Sequence, residues 1–225
     1  MEILYEDNSI IVIYKPAGLA TQTANVAQSD CVSLIRQHIA CTAPNKGKEP
    51  YVGVIHRLDQ PVAGILVFAK DKNSAAVLSS GIRDGLMNKH YLALVEGIVD
   101  EPEPEGRELT DLLYKDTKAG RAIVADESDR TDPAKKIREA KLIYRTGKIL
   151  EKENKTILSI DLVTGRFHQI RAQLSHMGHP IVGDRKYGAL TSYPSGIALV
   201  ADRISFIHPV SGEKVEKAVD FSFAL

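Results

Sequence analysis

His56-Arg57-Leu58-Asp59-Gln60-Pro61-Val62-Ala63-Gly64-Ile65-Leu66-Val67-Phe68-Ala69 joins a charged turn to an unbroken apolar run. Ile65 to Ala69, bounded by turn residues, has the pattern of a strand buried on both faces. Just ahead of it, an imidazole, a guanidinium and a carboxylate crowd one turn. Proteins place catalytic groups on loops held by rigid strands, because the strand fixes position while the loop leaves the group accessible. Taken alone, His-Arg-x-Asp is short enough to arise by chance, and a surface salt bridge between Arg57 and Asp59 is then the simpler reading. The rest of the chain decides between the two.

Working outward, Ser9 to Tyr14 (S-I-I-V-I-Y) is a β-branched strand stopped by Lys15-Pro16-Ala17-Gly18. Tyr91 to Val95 is another, ended by Glu96-Gly97. Further strands are expected at Ala122 to Ala125, Ala140 to Tyr144, Thr156 to Val163, Gly196 to Val200 and Ile204 to Ile207. The polar Glu151-Lys152-Glu153-Asn154-Lys155 reads as a hairpin turn between residues 142–150 and 156–163. Three segments have helical periodicity. One is capped by Ser29 or Asp30 and runs through Val32, Ile35 and Ile39; one is capped by Asn73 or Ser74 and runs to about Arg83. The third starts near Phe167 and ends at Gly178. Many strands, few helices and no regular βαβ alternation predict an α+β fold built on a mainly antiparallel sheet. The acidic stretch Asp100 to Asp132 keeps short apolar pieces, so it is expected to be an elaborated surface region rather than a linker.

Composition narrows the class. The 225 residues are 44% hydrophobic and 26% charged, which suits a globular protein with a sizeable core. No apolar run approaches the ~20 residues that span a bilayer, and the acidic start Met1-Glu2-Ile3-Leu4-Tyr5-Glu6-Asp7 lacks a signal peptide's basic region. Cys31 and Cys41 are too few for a disulfide framework. A cytoplasmic protein is expected, with a monomer as the default. Net charge is zero, but acid gathers around Glu101-Pro102-Glu103-Pro104-Glu105 and residues 126–132. Basic groups at Lys70, Lys72, Arg83, Lys89, Arg166, Arg171, Arg185 and Lys186 have fewer acidic neighbours, so a basic face for nucleic acid is compatible with neutrality.

The second dense cluster is Gly165-Arg166-Phe167-His168-Gln169-Ile170-Arg171. A helix beginning near Phe167 would aim its first N–H groups at an anion, and Arg171 could reach a carboxylate on a facing loop. An amphipathic helix with a merely solvated basic face is the bland alternative. His168, His176, His179 and Asp184 invite a metal reading, but one His-x-x-His beside a Gly-Pro turn falls short of three or four converging ligands.

Together these motifs resemble the RluA-type family of RNA pseudouridine synthases. The resemblance rests on His56-Arg57-Leu58-Asp59, on Lys89-His90-Tyr91-Leu92-Ala93-Leu94-Val95 and on Gly165 to Arg171. It extends to the opening Ile3–Gly18 and to Gly178–Gly188 (G-H-P-I-V-G-D-R-K-Y-G), so that five blocks follow in the same order. The family resemblance implies a pseudouridine-synthase-like α+β fold: a mixed, mainly antiparallel sheet flanked by helices, with an active-site cleft across it. It also implies one catalytic domain over residues 1–225. Because the family's opening strand is matched at Ile3, no S4-type RNA-binding domain is expected ahead of it. Departures are Val62-Ala63-Gly64, where the family commonly has Thr-Ser-Gly, and Gln173, where histidine is frequent.

The resemblance implies the reaction. A uridine's C1′–N1 bond breaks, the uracil turns, and it rejoins through C5. Cleavage builds positive character at the sugar, which a carboxylate stabilises or attacks. The catalytic set implied is Asp59 as the essential carboxylate, Arg171 pairing with it, and Tyr91 as an aromatic plane and a base near C5. His56, Arg57, Arg166, His168 and Gln169 are the expected substrate-binding residues. Asp59 either attacks C1′ or removes a sugar proton to give a glycal, and both routes stay open at this point. The isomerisation needs no cofactor and no metal; the partner expected is ribosomal or transfer RNA. Rival readings are a catalytically inactive RNA-binding module of the same fold, a metal-dependent hydrolase and an enzyme acting on a small glycoside.

Overall fold

The computed structural model describes residues 1–25, 27–42, 49–100 and 105–224. In chain order the elements are β1 (Glu2–Glu6), β2 (Ile10–Lys15), α1 (Cys31–Thr42), β3 (Gly53–Val54), β4 (Ala63–Ala69), α2 (Lys72–Arg83) and β5 (Asn88–Glu96). They continue with β6 (Arg107–Asp116), β7 (Arg121–Val124), β8 (Arg138–Leu150), β9 (Lys155–Leu162), α3 (Gln169–His176), β10 (Leu199–Ile207) and β11 (Lys214–Ala218). The chain divides into two compact units: Met1–Asn88 with Ala201–Phe221, and Lys89–Val200 with the final residues.

In the first unit β2 pairs with β1 and β4, β3 pairs with β4, and β11 pairs with β10, every ladder antiparallel. The register sets Ile10 opposite Ala69, Val12 opposite Val67 and Tyr14 opposite Ile65. Ile10, Val12, Ile65, Val67 and Ala69 therefore share one sheet face, packed with Leu78 of α2, Met87, Ile204 and Phe206. Each large side chain buried this fully is worth about 1.5–3 kcal/mol. This layer anchors β4, the strand that leads out of the Asp59 turn. Gly64 begins that anchorage, since at φ +136° a Cβ there would lie 2.4 Å from the Ala201 carbonyl oxygen.

In the second unit β9 pairs with β5 and β8, β8 with β6, and β6 with β7, again all antiparallel. The expected hairpin turns at residues 151–154, with Asn154 in the left-handed region. Helix α3 sets Ala172 against Leu113, Ala122, Ala140 and Tyr187. The α+β class and the mainly antiparallel sheet stand as the sequence predicts.

Several local expectations are corrected. Helix α2 is capped by Asp71, whose carboxylate accepts from Ser74 N (2.8 Å) and Ser74 Oγ (2.6 Å), so Asn73 and Ser74 lie inside the helix. Helix α1, by contrast, is capped as expected, by Asp30 of the two candidates, which accepts from Ser33 N at 2.7 Å. Helix α3 starts at Gln169, not near Phe167, because His168 takes a left-handed conformation at φ 50°. The runs expected at 196–200 and 204–207 give one strand from Leu199, since the intervening Asp202 is buried instead of marking a turn. Four strands escape the hydrophobic pattern: β1, which only the resemblance gave, the two-residue β3, β6, which lies within the acidic stretch, and β11, with alternating charges. Through β6 and β7 that stretch joins a sheet; its residues 101–104 lie outside the described residues.

A charged clasp ties β1 to its surroundings. Lys70 Nζ donates to Glu6 Oε1 (2.7 Å) and to the Asp7 carbonyl (2.6 Å), and His38 Nε2 lies 2.7 Å from Glu6 Oε2. Asp7 accepts from Ser9 N, Ile10 N and Tyr5 Oη, with His208 Nε2 at 2.7 Å. Burial pushes both carboxyls up, but for Glu6 the Lys70 and His38 bonds, and for Asp7 the Ile10 and Ser9 amides, outweigh it and hold them below their ordinary values. A carboxyl that is a stronger acid when folded adds stability at neutral pH that is lost as pH falls. The urea midpoint is therefore expected to fall as pH drops below about 4.5, Glu6's ordinary value, towards 3. A Glu6→Gln/Asp7→Asn variant should show a shallower decline; an equally steep one would place the acid-labile groups elsewhere.

Candidate active site

Asp59 sits in a turn clamped from both sides by residues 15–21. Ahead of it, the Leu58 N–H donates to Thr21 Oγ1 (3.2 Å), and the same hydroxyl donates back to the Leu58 carbonyl (2.9 Å). Behind it, the Gln60 carbonyl accepts from Gly18 N (2.8 Å), and Gln60 Nε2 donates to the Gly18 carbonyl (3.0 Å). Val62 N closes the turn onto the Asp59 carbonyl at 3.0 Å. The turn is rigid, yet Asp59 is only half-buried and Arg57 is exposed.

Beneath the turn lies Lys15, with no exposed surface. Its Nζ donates to the carbonyls of Leu19 (2.7 Å), Gln60 (3.1 Å) and Pro16 (3.2 Å), one for each ammonium proton. Burial pushes it down to about 8, against the attraction of Cys31 and Asp59. A buried ammonium thus joins the Lys15-Pro16-Ala17-Gly18 turn to the peptide next to the aspartate. His56 has a structural contact as well: its Nε2 accepts from Val67 N of β4 at 3.3 Å.

The second unit holds the other candidates. Tyr91 is buried in β5 opposite Ile160. Arg171 is buried in α3, and its Nε and Nη2 donate to Asp184 Oδ2 (2.6 Å) and Oδ1 (2.8 Å) as a side-on bidentate pair. The Tyr187 ring covers the guanidinium, with Cζ 5.0 Å from its centroid. Tyr187 Oη accepts from Ala122 N (2.7 Å) and lies 3.0 Å from His168 Nδ1. The His168 ring stacks on Phe167 at 3.8 Å, and Lys115 Nζ lies 4.6 Å from the Phe167 centroid.

Gln169 is buried and its amide is fully used inside the protein. Its Oε1 accepts from Thr164 Oγ1 (2.8 Å) and Arg166 N (3.0 Å), and its Nε2 donates to the Lys141 carbonyl and Gln173 Oε1 (both 3.0 Å). All four bonding capacities of a carboxamide are filled, so this side chain holds the turn. The Arg166 N–H, expected to face an anion, is bonded to Gln169 instead; the Arg166 side chain is exposed and donates from Nε to the Glu139 carbonyl at 2.8 Å. Gln173 donates to Asp111 Oδ2 at 2.8 Å, which gives the departure at that position a place in the packing of α3 against β6.

Three of the four metal candidates are engaged elsewhere: Asp184 with Arg171, His168 with Tyr187, and His179 Nδ1 with the Glu96 carbonyl at 2.9 Å. Among the described residues no three His, Cys, Asp or Glu side chains converge as a metal site would require, and no helix is long and apolar enough to cross a membrane. Sequence reasoning missed Lys15, taken only as part of a turn, and Tyr187, taken only as part of a matching block. Lys89, taken only as a surface base and as part of the Tyr91 block, is pushed by burial below the ordinary lysine value, and its Nζ lies 3.3 Å from where a Gly165 Cβ would stand. Nothing in a lone lysine's sequence neighbourhood marks it as buried.

Comparison with known proteins places this arrangement. The family model described as RNA pseudouridylate synthase matches residues 9–176. The ribosomal large subunit pseudouridine synthase D of Zymomonas mobilis is 30% identical over 96% of this chain and 68% of its own length. The dual-specificity RNA pseudouridine synthase RluA of Vibrio parahaemolyticus is 29% identical over 93% of this chain and 79% of its own length. Among solved structures, human RNA pseudouridylate synthase domain containing 4 superposes with a TM-score of 0.73 at 19% identity, covering 98% of this chain and 88% of that one, a likeness of fold. The chain belongs to the RNA pseudouridylate synthase family, isomerases that act on RNA.

Proposed function

We propose that the protein isomerises specific uridines to pseudouridine in structured ribosomal or transfer RNA, with Asp59 as the essential carboxylate. The double clamp on the Asp59 turn carries this reading. It fixes the peptide on each side of the carboxylate while leaving Asp59 partly exposed, which is the preorganisation that attack at a sugar carbon demands. The names of the relatives, a ribosomal large subunit synthase and a dual-specificity RNA synthase, support the substrate class.

In this reading the two units serve one catalytic domain over residues 1–225, and the continuous family match across the boundary at Asn88 supports it. Asp59, Tyr91 and Arg171 are its catalytic residues. Asp184 takes the Nε edge of Arg171, through Nε and Nη2. Arg57 and Arg166, both exposed, meet RNA phosphates, and the His168–Phe167 stack offers a surface to a splayed base. His56 and Gln169 support the site through the backbone bonds they make. The reaction is redox-neutral and intramolecular, so no cofactor or metal is invoked. A monomer working in the cytoplasm, where ribosomal and transfer RNA are made, suits this role.

RNA carrying uridine tritiated at C5 tests the reaction, since rejoining through C5 expels that hydrogen to water. Release from ribosomal or transfer RNA is expected; none from either pool, by folded protein that binds both, would overturn the proposal. Tyr91→Phe keeps the ring and removes the hydroxyl. It is expected to leave RNA affinity near wild type and lower product formation by about 10²–10⁴-fold, the range of a lost general base. Product formation at the wild-type rate would confine the hydroxyl to a structural role.

A further inference from the structure

We propose that Asp184 and Tyr187 are positioning residues for the isomerisation: they hold the Arg171 guanidinium in one fixed orientation. The inference rests on the assignment of Asp59 and Arg171 made above, and it concerns what holds Arg171 in place. An arginine side chain is long and flexible, and an unrestrained one would spread its charged end over many positions. Here two contacts remove that freedom. The side-on pair with Asp184, at 2.6 and 2.8 Å, fixes rotation within the guanidinium plane. The Tyr187 ring, 5.0 Å from Cζ, fixes the plane itself.

Both contacts are themselves braced. A short helical turn spans residues 185–187, and the Tyr187 N–H donates to the Asp184 carbonyl at 2.9 Å, so the carboxylate and the ring are presented by one rigid turn. Ser175 Oγ of α3 donates to the Tyr187 carbonyl at 2.7 Å, tying that turn to the helix that carries Arg171. Ala122 N holds the Tyr187 hydroxyl from the β7 side. Gly183, at φ +87°, packs so closely that a Cβ would meet the Gly196 carbonyl oxygen at 2.2 Å. The carboxylate of Asp184 is 1% exposed and the Arg171 side chain 6%, so neither is a solvated surface pair.

Charge balance gives the arrangement a second consequence. Asp184 already compensates the positive charge of Arg171, so what Arg171 contributes is orientation more than net charge. A carboxylate that must attack or deprotonate a sugar is better served by orientation than by neutralisation, which would blunt its basicity. This assigns a role to the Gly178–Gly188 block.

The test is single-turnover tritium release from the C5-labelled RNA that the wild type modifies. The rate constant at saturating protein reads positioning, while the amplitude, read beside the protein's melting curve, shows that folded protein converts all of its RNA. For Asp184→Asn the rate constant is expected to fall about 10²-fold, the scale of a misplaced catalytic group, with amplitude and RNA affinity within about twofold of wild type. In an Arg171→Met background the same change should cost no more than about twofold, because residues acting as a unit are not additive. Tyr187→Leu, which removes the ring without touching the ion pair, should lower the rate constant about tenfold at full amplitude. This variant carries the test if Asp184→Asn does not fold. A wild-type rate constant in either folded variant, a loss confined to amplitude or affinity, or a full additional loss in the Arg171→Met background would overturn the inference. Failure of the underlying reading looks different: the wild type itself releases no tritium, or Asp59→Asn releases it normally.

Discussion

Asp59→Asn is expected to reduce tritium release from C5-labelled RNA by about 10⁴-fold or more, the scale of losing an indispensable member of a catalytic unit. The change keeps the shape, removes the charge and turns one acceptor oxygen into an NH2 donor. The turn's own bonds run through Leu58, Gln60, Thr21, Gly18 and Val62, so the melting temperature should stay within a few degrees of wild type. RNA affinity should also persist, since binding draws on phosphate contacts more than on one carboxylate. Normal turnover by the folded variant would remove Asp59 from the chemistry; a variant that melts far lower would reassign it to the scaffold.

Lys15→Met is expected to lower both stability and rate. Methionine matches the lysine stem but donates nothing, so the Pro16 and Leu19 carbonyls lose their Nζ bonds while the Gln60 carbonyl keeps Gly18 N. Losing a hydrogen bond to a charged donor costs about 1.5–3 kcal/mol, and less where water can replace it, as at exposed Pro16, so roughly 2–4 kcal/mol is expected, or about 5–15 °C in melting temperature for a chain of this size. The peptide beside Asp59 would then be held less firmly, and a displacement near 1 Å lowers the rate about 10²-fold. The sign of the pH dependence follows from the direction of the shift. Lys15 is pushed down to about 8 from 10.5, so the unfolded chain binds its proton more tightly than the folded one. The cost of burying the charge is therefore felt in full below pH 8 and relieved as pH rises towards 10.5. Chemical denaturation of both proteins across that range should show wild type gaining stability relative to Lys15→Met. A constant difference would mean that three carbonyls hold the proton as tightly as water does.

How much was legible varied by element, and the reasons are physical. Ser9 to Tyr14 and Ile65 to Ala69 announce themselves because a strand buried on both faces must be apolar throughout, and β2 and β4 are so buried. The hairpin at residues 151–154 was equally plain, a polar break between two β-branched runs. By contrast β6 and β11 carry exposed charges along much of their length, and only their pairing with β8 and β10 makes them strands. Helix α3 began later than its periodicity suggests because His168 adopts a left-handed backbone, which no hydrophobic pattern encodes.

The sequence by itself determined the α+β class, the strand that leads out of the Asp59 turn, and the candidate residues Asp59, Tyr91 and Arg171, because each candidate lies in a dense local motif. Tertiary structure alone decided what holds those motifs in place. Lys15 bonds a carbonyl 45 residues away, and Asp184 grips Arg171 across 13. His56 and Gln169 turn out to hold backbone rather than stand free. Local chemistry is written in adjacent residues; burial and pairing depend on which distant atoms the folded chain brings within hydrogen-bond reach, and spacing along a sequence does not record that distance.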